Sequence, residues 1–137
     1  MPKRETIEAF VAMVEAGRFD TAMERFYAED ASMQENQDAP RQGLATLIEG
    51  ERRTMARSRN ITARCVRPFL IEGDTVVIRW HFDFDLMEGR KIVLDEIAHQ
   101  RWRGEKMQEE KFFYDPRQMG HNSAALRFGN ERIIIHP

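Results

Sequence analysis

The sequence predicts a single α+β domain in which helices come first and a sheet follows. Apolar residues recur at steps of three and four up to about residue 55, which is the spacing of amphipathic helices. After Asn60 the pattern changes to extended segments that continue to Pro116. Short polar loops separate these segments, as they do between antiparallel neighbours. We therefore expect a sheet with one face covered by helices.

Three helices are predicted before the sheet. The first runs from Thr6 to Ala16 and is followed by Gly17, which suits a helix C-terminus. The second follows Asp20 and ends near Ala28, and the third runs from about Leu44 to Met55. The segment Ala39-Pro40-Arg41-Gln42-Gly43 is a loop signal that separates the last two helices.

Four strands are predicted after the helices, namely Ile61 to Ile71, Thr75 to Leu86, Lys91 to Arg103 and Lys106 to Tyr114. The domain is expected to cover residues 1–117. The tail, residues 118–137, is polar until Ile133-Ile134-Ile135, and we expect this apolar run to dock on a partner subunit.

Composition excludes several classes of protein. The net charge is -2 with both signs interspersed, so the sequence offers no basic stripe for nucleic acid. We expect neither a signal peptide nor a membrane span, because no apolar stretch is long enough for either. A lone cysteine, Cys65, favours a reducing compartment, and we expect a cytoplasmic protein. His99, His121 and His136 show no metal-ligand spacing, so neither a metal nor another cofactor is expected.

The segments FYAEDASMQE, TVVIRWHFDF and GEKMQEEKFFYDP resemble the nuclear transport factor 2-like superfamily and its SnoaL-like domains. The resemblance covers roughly Glu5 to Pro116. It implies a cone-shaped fold in which three N-terminal helices pack on a curved antiparallel sheet, whose concave face forms a pocket. It also implies a homodimer through the back of the sheet. The superfamily includes polyketide cyclases, ketosteroid isomerases, limonene-type epoxide hydrolases and proteins without catalysis, so fold alone does not give the reaction.

The resemblance also implies positions for site residues. Glu35 matches the proton-transferring aspartate of ketosteroid isomerases, whereas Phe10 and Ala98 replace the two oxyanion donors of those enzymes. Arg79 matches the pocket arginine of limonene-type epoxide hydrolases, and His81 stands where their aspartate would be. Phe112 matches the pocket aspartate of SnoaL-like cyclases and the second acid of the epoxide hydrolases. None of the three reactions is therefore reproduced residue for residue.

The predicted catalytic pair comes from strand register. If the loop Met87–Arg90 holds four residues, Leu86 lies opposite Lys91, and His81 then lies opposite Glu96. Opposed side chains of this kind lie about 5 Å apart, close enough to share a proton. His81, Glu35 and Glu96 are the predicted catalytic residues. The substrate-binding residues predicted around them are Phe10, Arg79, Ala98, Gln100, Trp102, Glu110, Phe112 and Tyr114.

Three interpretations of this set stay open. His81 and Glu35 could act as acid and base on a small cyclic or polyketide-like molecule, with Glu96 orienting the imidazole. The same groups could orient a small, largely apolar ligand without turnover, or they could form a structural network. A hydrophobicity argument alone would instead turn the apolar residues of the second predicted strand towards the helices and leave His81 and Glu96 in solvent.

A homodimer follows from the same choice of faces. If Ile78, Trp80, Phe82 and Phe84 lie on the back of the sheet, they expose more apolar surface than a monomer normally shows. We therefore expect a dimer with two-fold symmetry through that surface.

Overall fold

The computed structural model describes residues 1–120 and two short strands, Arg127–Phe128 and Glu131–Arg132, which pair with each other. Three helices open the chain: α1 spans Arg4–Glu15, α2 spans Phe19–Phe26 and α3 spans Leu44–Ala56. Helices α1 and α2 each bury one apolar stripe, as their spacing predicts; in α1 the stripe is Ile7, Phe10, Val11 and Val14. The three predicted helices are thus confirmed, with ends that differ by one or two residues.

The sheet contains six strands in the order β2-β1-β6-β5-β4-β3. Their bounds are Tyr27–Glu35 for β1, Arg41–Gln42 for β2, Ser58–Glu72 for β3, Thr75–Leu86 for β4, Lys91–Arg103 for β5 and Lys106–Phe113 for β6. The three helices cover one face of this curved, unclosed sheet, so the predicted α+β cone is confirmed. Strands β3 to β6 form the predicted antiparallel meander.

Strands β1 and β2 add an edge that the sequence analysis did not assign. Strand β1 pairs in parallel with β6, so the sheet is mixed and not purely antiparallel. The second helix was predicted to end near Ala28, but it ends at Phe26. Tyr27 is extended and begins β1. Strand β2 returns antiparallel to β1 and places Arg41 opposite Met33.

The outer and inner faces of β4 are the reverse of those predicted. Ile78, Trp80, Phe82 and Phe84 are at most 2% exposed and point towards the helices. Burying an apolar side chain of this size stabilises a fold by about 1.5–3 kcal/mol, so turning all four outward would forfeit roughly 6–12 kcal/mol. The premise of the predicted dimer surface is therefore wrong.

The reversal originates in the loop between β4 and β5. Asp85 pairs with Lys91, so five residues, Leu86 to Arg90, lie between the paired positions and not the four predicted. Gly89 adopts φ +107°, a conformation that glycine tolerates without strain. Because side chains alternate along a strand, this shift of one residue exchanges the faces of β4 relative to β5.

A short 3-10 helix, Pro116–Met119, covers the part of β5 that extends beyond β6. The Gln118 side chain accepts a hydrogen bond from the backbone N–H of Asp95 at 2.8 Å and donates one to its carbonyl at 3.0 Å. Met119 is buried. Residues 133–135, on which the predicted docking of the tail depends, lie outside the described residues.

No helix among the described residues is long and apolar enough to cross a membrane.

Candidate functional site

The interior of the cone contains a set of polar side chains among apolar walls. Strands β1, β5 and β6 and helix α3 supply them, and each side chain is buried or partly buried. We call this set the interior polar cluster; it comprises Tyr27, Glu35, Glu51, Glu96, Gln100, Glu110 and Tyr114. Buried carboxyl groups are costly unless they are hydrogen-bonded or paired, so their partners decide what the cluster can do.

At the floor of the cone, hydrogen bonds connect four residues in a chain. The Tyr27 hydroxyl donates to Glu110, and Gln100 Nε2 donates to the other oxygen of Glu110 at 2.7 Å. Trp102 Nε1 in turn donates to Gln100 Oε1 at 2.9 Å, which fixes the orientation of the amide. Gln100 and Glu110 are register partners on β5 and β6, so the sheet holds this chain in place.

Tyr27 stays a hydrogen-bond donor over the ordinary pH range. Burial raises the pKa of its hydroxyl well above the usual value, and the carboxyl groups of Glu110, Glu51 and Glu96 raise it further. These carboxyl groups belong to β5, β6 and α3, and each of the three side chains is 2% exposed.

Glu35 lies at the rim, at the end of β1, and is 6% exposed. The Tyr114 hydroxyl donates to Glu35 Oε1 at 2.6 Å, and Arg41 Nη1 donates to Glu35 Oε2 at 3.1 Å. Both neighbours are partly exposed. A carboxylate is thus held between a neutral donor and a cation where the interior approaches solvent, and the cation compensates its negative charge.

The position of Tyr114 is fixed by its backbone. Its N–H donates to Asn36 Oδ1 at 3.0 Å, while the N–H of Asn36 donates to the carbonyl of Phe112 at 2.8 Å. Burial raises the pKa of the Tyr114 hydroxyl, and the charge of Glu35 contributes next. The charge of Glu96 raises it further.

Helix α3 contributes a further polar edge. Leu47, Gly50, Glu51 and Thr54 form its buried face, with Glu51 2% and Thr54 1% exposed. Among the described residues, the hydroxyl of Thr54 finds no hydrogen-bond partner. Such a buried hydroxyl is unusual in a folded protein, and a ligand atom or an ordered water would satisfy it.

The predicted pairing of His81 with Glu96 is wrong. His81 lies opposite Asp95, and Glu96 lies opposite Trp80 on the inner face. The shifted register explains the error, because His81 and Glu96 now stand on opposite faces of the sheet. His81 Nε2 instead lies 3.2 Å from a carboxylate oxygen of Asp83 on the outer face.

Arg79 was predicted to line the pocket, but it also lies outside the cone, opposite Ile97. Its guanidinium forms two hydrogen bonds with Asp95, at 3.0 and 2.8 Å. This contact holds the pKa of Asp95 below its ordinary value. Both side chains are about half exposed, so the pair is of the type that adds little to stability.

The other predicted residues face the interior. Beyond the interior polar cluster, these are the wall residues Phe10, Ala98, Trp102 and Phe112, each at most 1% exposed. Ala98 pairs with Phe112, and Phe112 pairs with Glu35 across β6 and β1. Predicted positions on β5 and β6 are therefore brought together, whereas the two on β4 are not.

Sequence reasoning missed Tyr27, Arg41, Glu51 and Thr54. Tyr27 was assigned to a helix, and Arg41 to a loop that gave no further signal. Glu51 and Thr54 follow Leu47 by four and seven residues, so helical periodicity places them on the buried face of α3.

The SnoaL-like domain family matches residues 7–110 of the chain, and the chain belongs to this family. No curated protein is significantly similar in sequence.

Solved structures share the fold at low sequence identity. A protein from Mesorhizobium loti described as a SnoaL-like polyketide cyclase has 20% identity and a TM-score of 0.69, covering 80% of this chain and 97% of its own. A Catenulispora acidiphila protein with a ketosteroid isomerase-like fold, in complex with trimethylamine, has 19% identity and a TM-score of 0.69, covering 82% and 87%. An epoxide hydrolase of the LEH-like type from M. tuberculosis has 11% identity and a TM-score of 0.70, covering 84% of both chains.

Proposed function

We propose that the chain binds a small, largely apolar molecule inside the cone and transfers a proton on it with Glu35 as the base. The observation that carries the proposal is the setting of Glu35, a buried carboxylate that accepts from Tyr114 and Arg41 at the rim. A base in a largely apolar site is less solvated than one in water and is positioned against its substrate. Aromatic walls formed by Phe10, Trp102 and Phe112 suit a ring system.

The family supports a reaction of this type. Neighbours of the fold are named for cyclase, isomerase-like and epoxide hydrolase relationships, and this chain retains an acid at the rim. Residue by residue it reproduces none of those enzymes, so we propose the class of reaction, cofactor-free proton transfer, and a small cyclic or polyketide-like substrate. His81 is not part of this proposal, because it lies on the outer face.

The floor of the cone favours a second candidate, a binding module without turnover. Glu110, Gln100 and Trp102 satisfy one another by hydrogen bonds, which is the behaviour of a structural network or a fixed ligand-orienting surface. Binding and catalysis therefore need to be separated by experiment.

A panel of ring ketones, lactones and epoxides tests the proposal when binding and turnover are measured for the native chain and for Glu35→Gln. We expect turnover of at least one ketone or lactone, reduced about a hundredfold in Glu35→Gln because general-base catalysis typically contributes that much or more. Ligand affinity should change far less.

Glu29→Gln is the matched control, because Glu29 lies on the same strand but is exposed. It should retain native turnover. Binding by the native chain without turnover of any compound would leave only the binding module, and equal turnover by Glu35→Gln would remove Glu35 as the base.

The partner surface is proposed separately. The outer face of the sheet exposes Val93, Ile97 and Phe113, of which Ile97 and Phe113 are register partners on β5 and β6. We propose that this outer apolar patch forms a homodimer interface, which replaces the row predicted from the sequence. An apolar patch across neighbouring strands is the kind of surface that subunits cover.

Light scattering at micromolar concentration is expected to give the mass of a dimer for the native chain and of a monomer for Ile97→Asp. A charge placed in the centre of an apolar interface is left without solvent, which weakens association. Met87→Asp serves as the control, since Met87 is exposed in the loop between β4 and β5. A native monomer would refute the proposed interface.

A further inference from the structure

Arg41 occupies an unusual position beside the proposed base. Strand β2 comprises only two residues, and its pairing with β1 brings Arg41 opposite Met33, two residues before Glu35. Its Nη1 donates to Glu35 Oε2, while the other oxygen of Glu35 accepts from Tyr114. Each oxygen of Glu35 therefore accepts a hydrogen bond. Arg41 uses only Nη1, one of its two terminal guanidinium nitrogens, for that contact.

The second terminal nitrogen of the Arg41 guanidinium, Nη2, has no hydrogen-bond acceptor among the described residues. This nitrogen is buried. A guanidinium carries its donors in one plane and typically binds a carboxylate through two parallel hydrogen bonds. A buried donor without an acceptor destabilises the folded state, and does so more strongly when it is charged. A native fold keeps such a donor only where something compensates, so an acceptor oxygen from a ligand is a direct explanation.

On the basis of the proposed function, we infer that Arg41 Nη2 binds an oxygen of the ligand that carries or develops negative charge. The ligand is then an enolisable ketone or ester, or an acidic enol or phenol. It is neither an amine nor a simple epoxide. This assignment supplies an oxyanion-binding group in a chain where Phe10 and Ala98 contribute no polar donor.

The chemistry is balanced without a further reactant. Glu35 takes a proton from the carbon next to the carbonyl, and the C–H electron pair forms the new C=C bond. The electron pair of the carbonyl moves to its oxygen, where Arg41 Nη2 donates a hydrogen bond. As the C=O bond re-forms from the oxyanion, the electron pair of the C=C bond takes the proton back from Glu35. It does so at the carbon that lost the proton or, where a second C=C bond is conjugated with the enolate, at the far end of that second bond. The two nitrogens of one guanidinium thus hold base and oxyanion next to each other, as such a transfer needs.

The carboxyl groups of the interior polar cluster favour the opposite kind of ligand, a cation. Glu51, Glu96 and Glu110 would attract a cationic ligand, whereas Arg41 Nη2 selects an anionic oxygen. Because Arg41 lies at the rim, and the other carboxyl groups lie deeper against α3 and the floor, a rim ligand meets the guanidinium first. The two ligand charges therefore give opposite predictions in a binding assay.

The probe is 4-nitrophenol, whose phenol and phenolate forms differ in colour, with benzylamine as the cationic comparison. We expect the native chain to bind phenolate more tightly than phenol, and both more tightly than benzylamine. Arg41→Met should lose at least tenfold in phenolate affinity while phenol affinity stays within about twofold, since a hydrogen bond to a charged group is worth about 1.5–3 kcal/mol.

Two further variants separate ligand binding from a structural role. Arg41→Lys keeps a cation for Glu35 but removes the planar fork, so native stability with reduced phenolate affinity is expected. Arg64→Met is the control, because Arg64 lies on the outer face opposite His81; it should bind as the native chain does.

Equal affinity for phenol and phenolate, native phenolate binding by Arg41→Met, or preferred binding of benzylamine would each overturn the inference, as would failure of the native chain to bind 4-nitrophenol. These results are distinct from failure of the proposed function. If a neutral ketone is turned over by Glu35 and equally well in Arg41→Met, the proposed function stands and only the role of Arg41 falls.

Discussion

Replacing Phe10 by alanine is expected to lower the free energy of unfolding by about 3–5 kcal/mol, the range for truncating a buried phenylalanine. Phe10 is 1% exposed on the inner face of α1. Its ring meets those of Phe26, Tyr27 and Trp102 at centroid distances of 5.7, 6.3 and 6.0 Å. The truncation would therefore open a cavity where α1, α2 and the sheet meet, and three aromatic neighbours would lose a partner.

Urea denaturation followed by tryptophan fluorescence measures this loss, and thermal unfolding should show a midpoint lower by roughly 10–20 °C. Leu70→Ala is the control, because Leu70 is 62% exposed on β3, opposite Val77 and outside the outer apolar patch, and its truncation should cost less than about 1 kcal/mol. If both variants lose the same stability, the assignment of inner and outer faces is wrong.

Alkaline titration is expected to show no tyrosinate near pH 10, where free tyrosine ionises, until the protein unfolds. The chain has two tyrosines, Tyr27 and Tyr114, and burial raises the pKa of both hydroxyls. Each proton is held more tightly by the folded state than by the unfolded one. The resulting stabilisation is complete below pH of about 10 and is lost as the pH rises towards the folded pKa.

For fully buried Tyr27 the loss approaches about 1.4 kcal/mol per pH unit above that point, and Tyr114 adds less because its side chain is partly exposed. Absorbance and circular dichroism should therefore change together in one steep transition. Tyr114→Phe leaves Tyr27 as the single reporter and should keep the cooperative transition. A gradual rise of tyrosinate near pH 10 in a chain that remains folded would contradict the buried network at Glu110.

Strand bounds and helix faces could be predicted because they depend on local periodicity. Strand β4 was assigned to the residue, and the helices to within two. Which way β4 faces depends on a single residue in the loop between β4 and β5, and periodicity does not report loop geometry. The apolar character of Trp80 and Phe82 predicts the facing of β4 better. Their burial stabilises the fold more than the two exposed pairs on the outer face, Arg79 with Asp95 and His81 with Asp83.

The candidate site was predicted on β5 and β6 but not on the edge of the sheet. Glu35 was named from the resemblance to the ketosteroid isomerase aspartate, and Glu96 from its predicted pairing with His81. Tyr114 was named from the strand face that it shares with Glu96. Arg41 reaches Glu35 only because a two-residue strand folds back on β1, and that pairing is non-local. Polar residues at strand edges have no periodic signal of their own, so their partners become visible only in three dimensions.

Parallel pairing of β1 with β6 has a consequence for how the protein is made. During translation β1 is synthesised first and β6 last among the strands of the sheet. The strand that carries Glu35 therefore cannot pair with β6 until the rest of the sheet has been made. The hydrogen bond between Tyr114 and Glu35 joins residues 79 apart in the chain. A ribosome-bound or prematurely terminated product that stops before β6 lacks the strand that joins β1 to β5. The surroundings of Glu35 are thus complete only in chains whose synthesis has run past the last strand of the sheet.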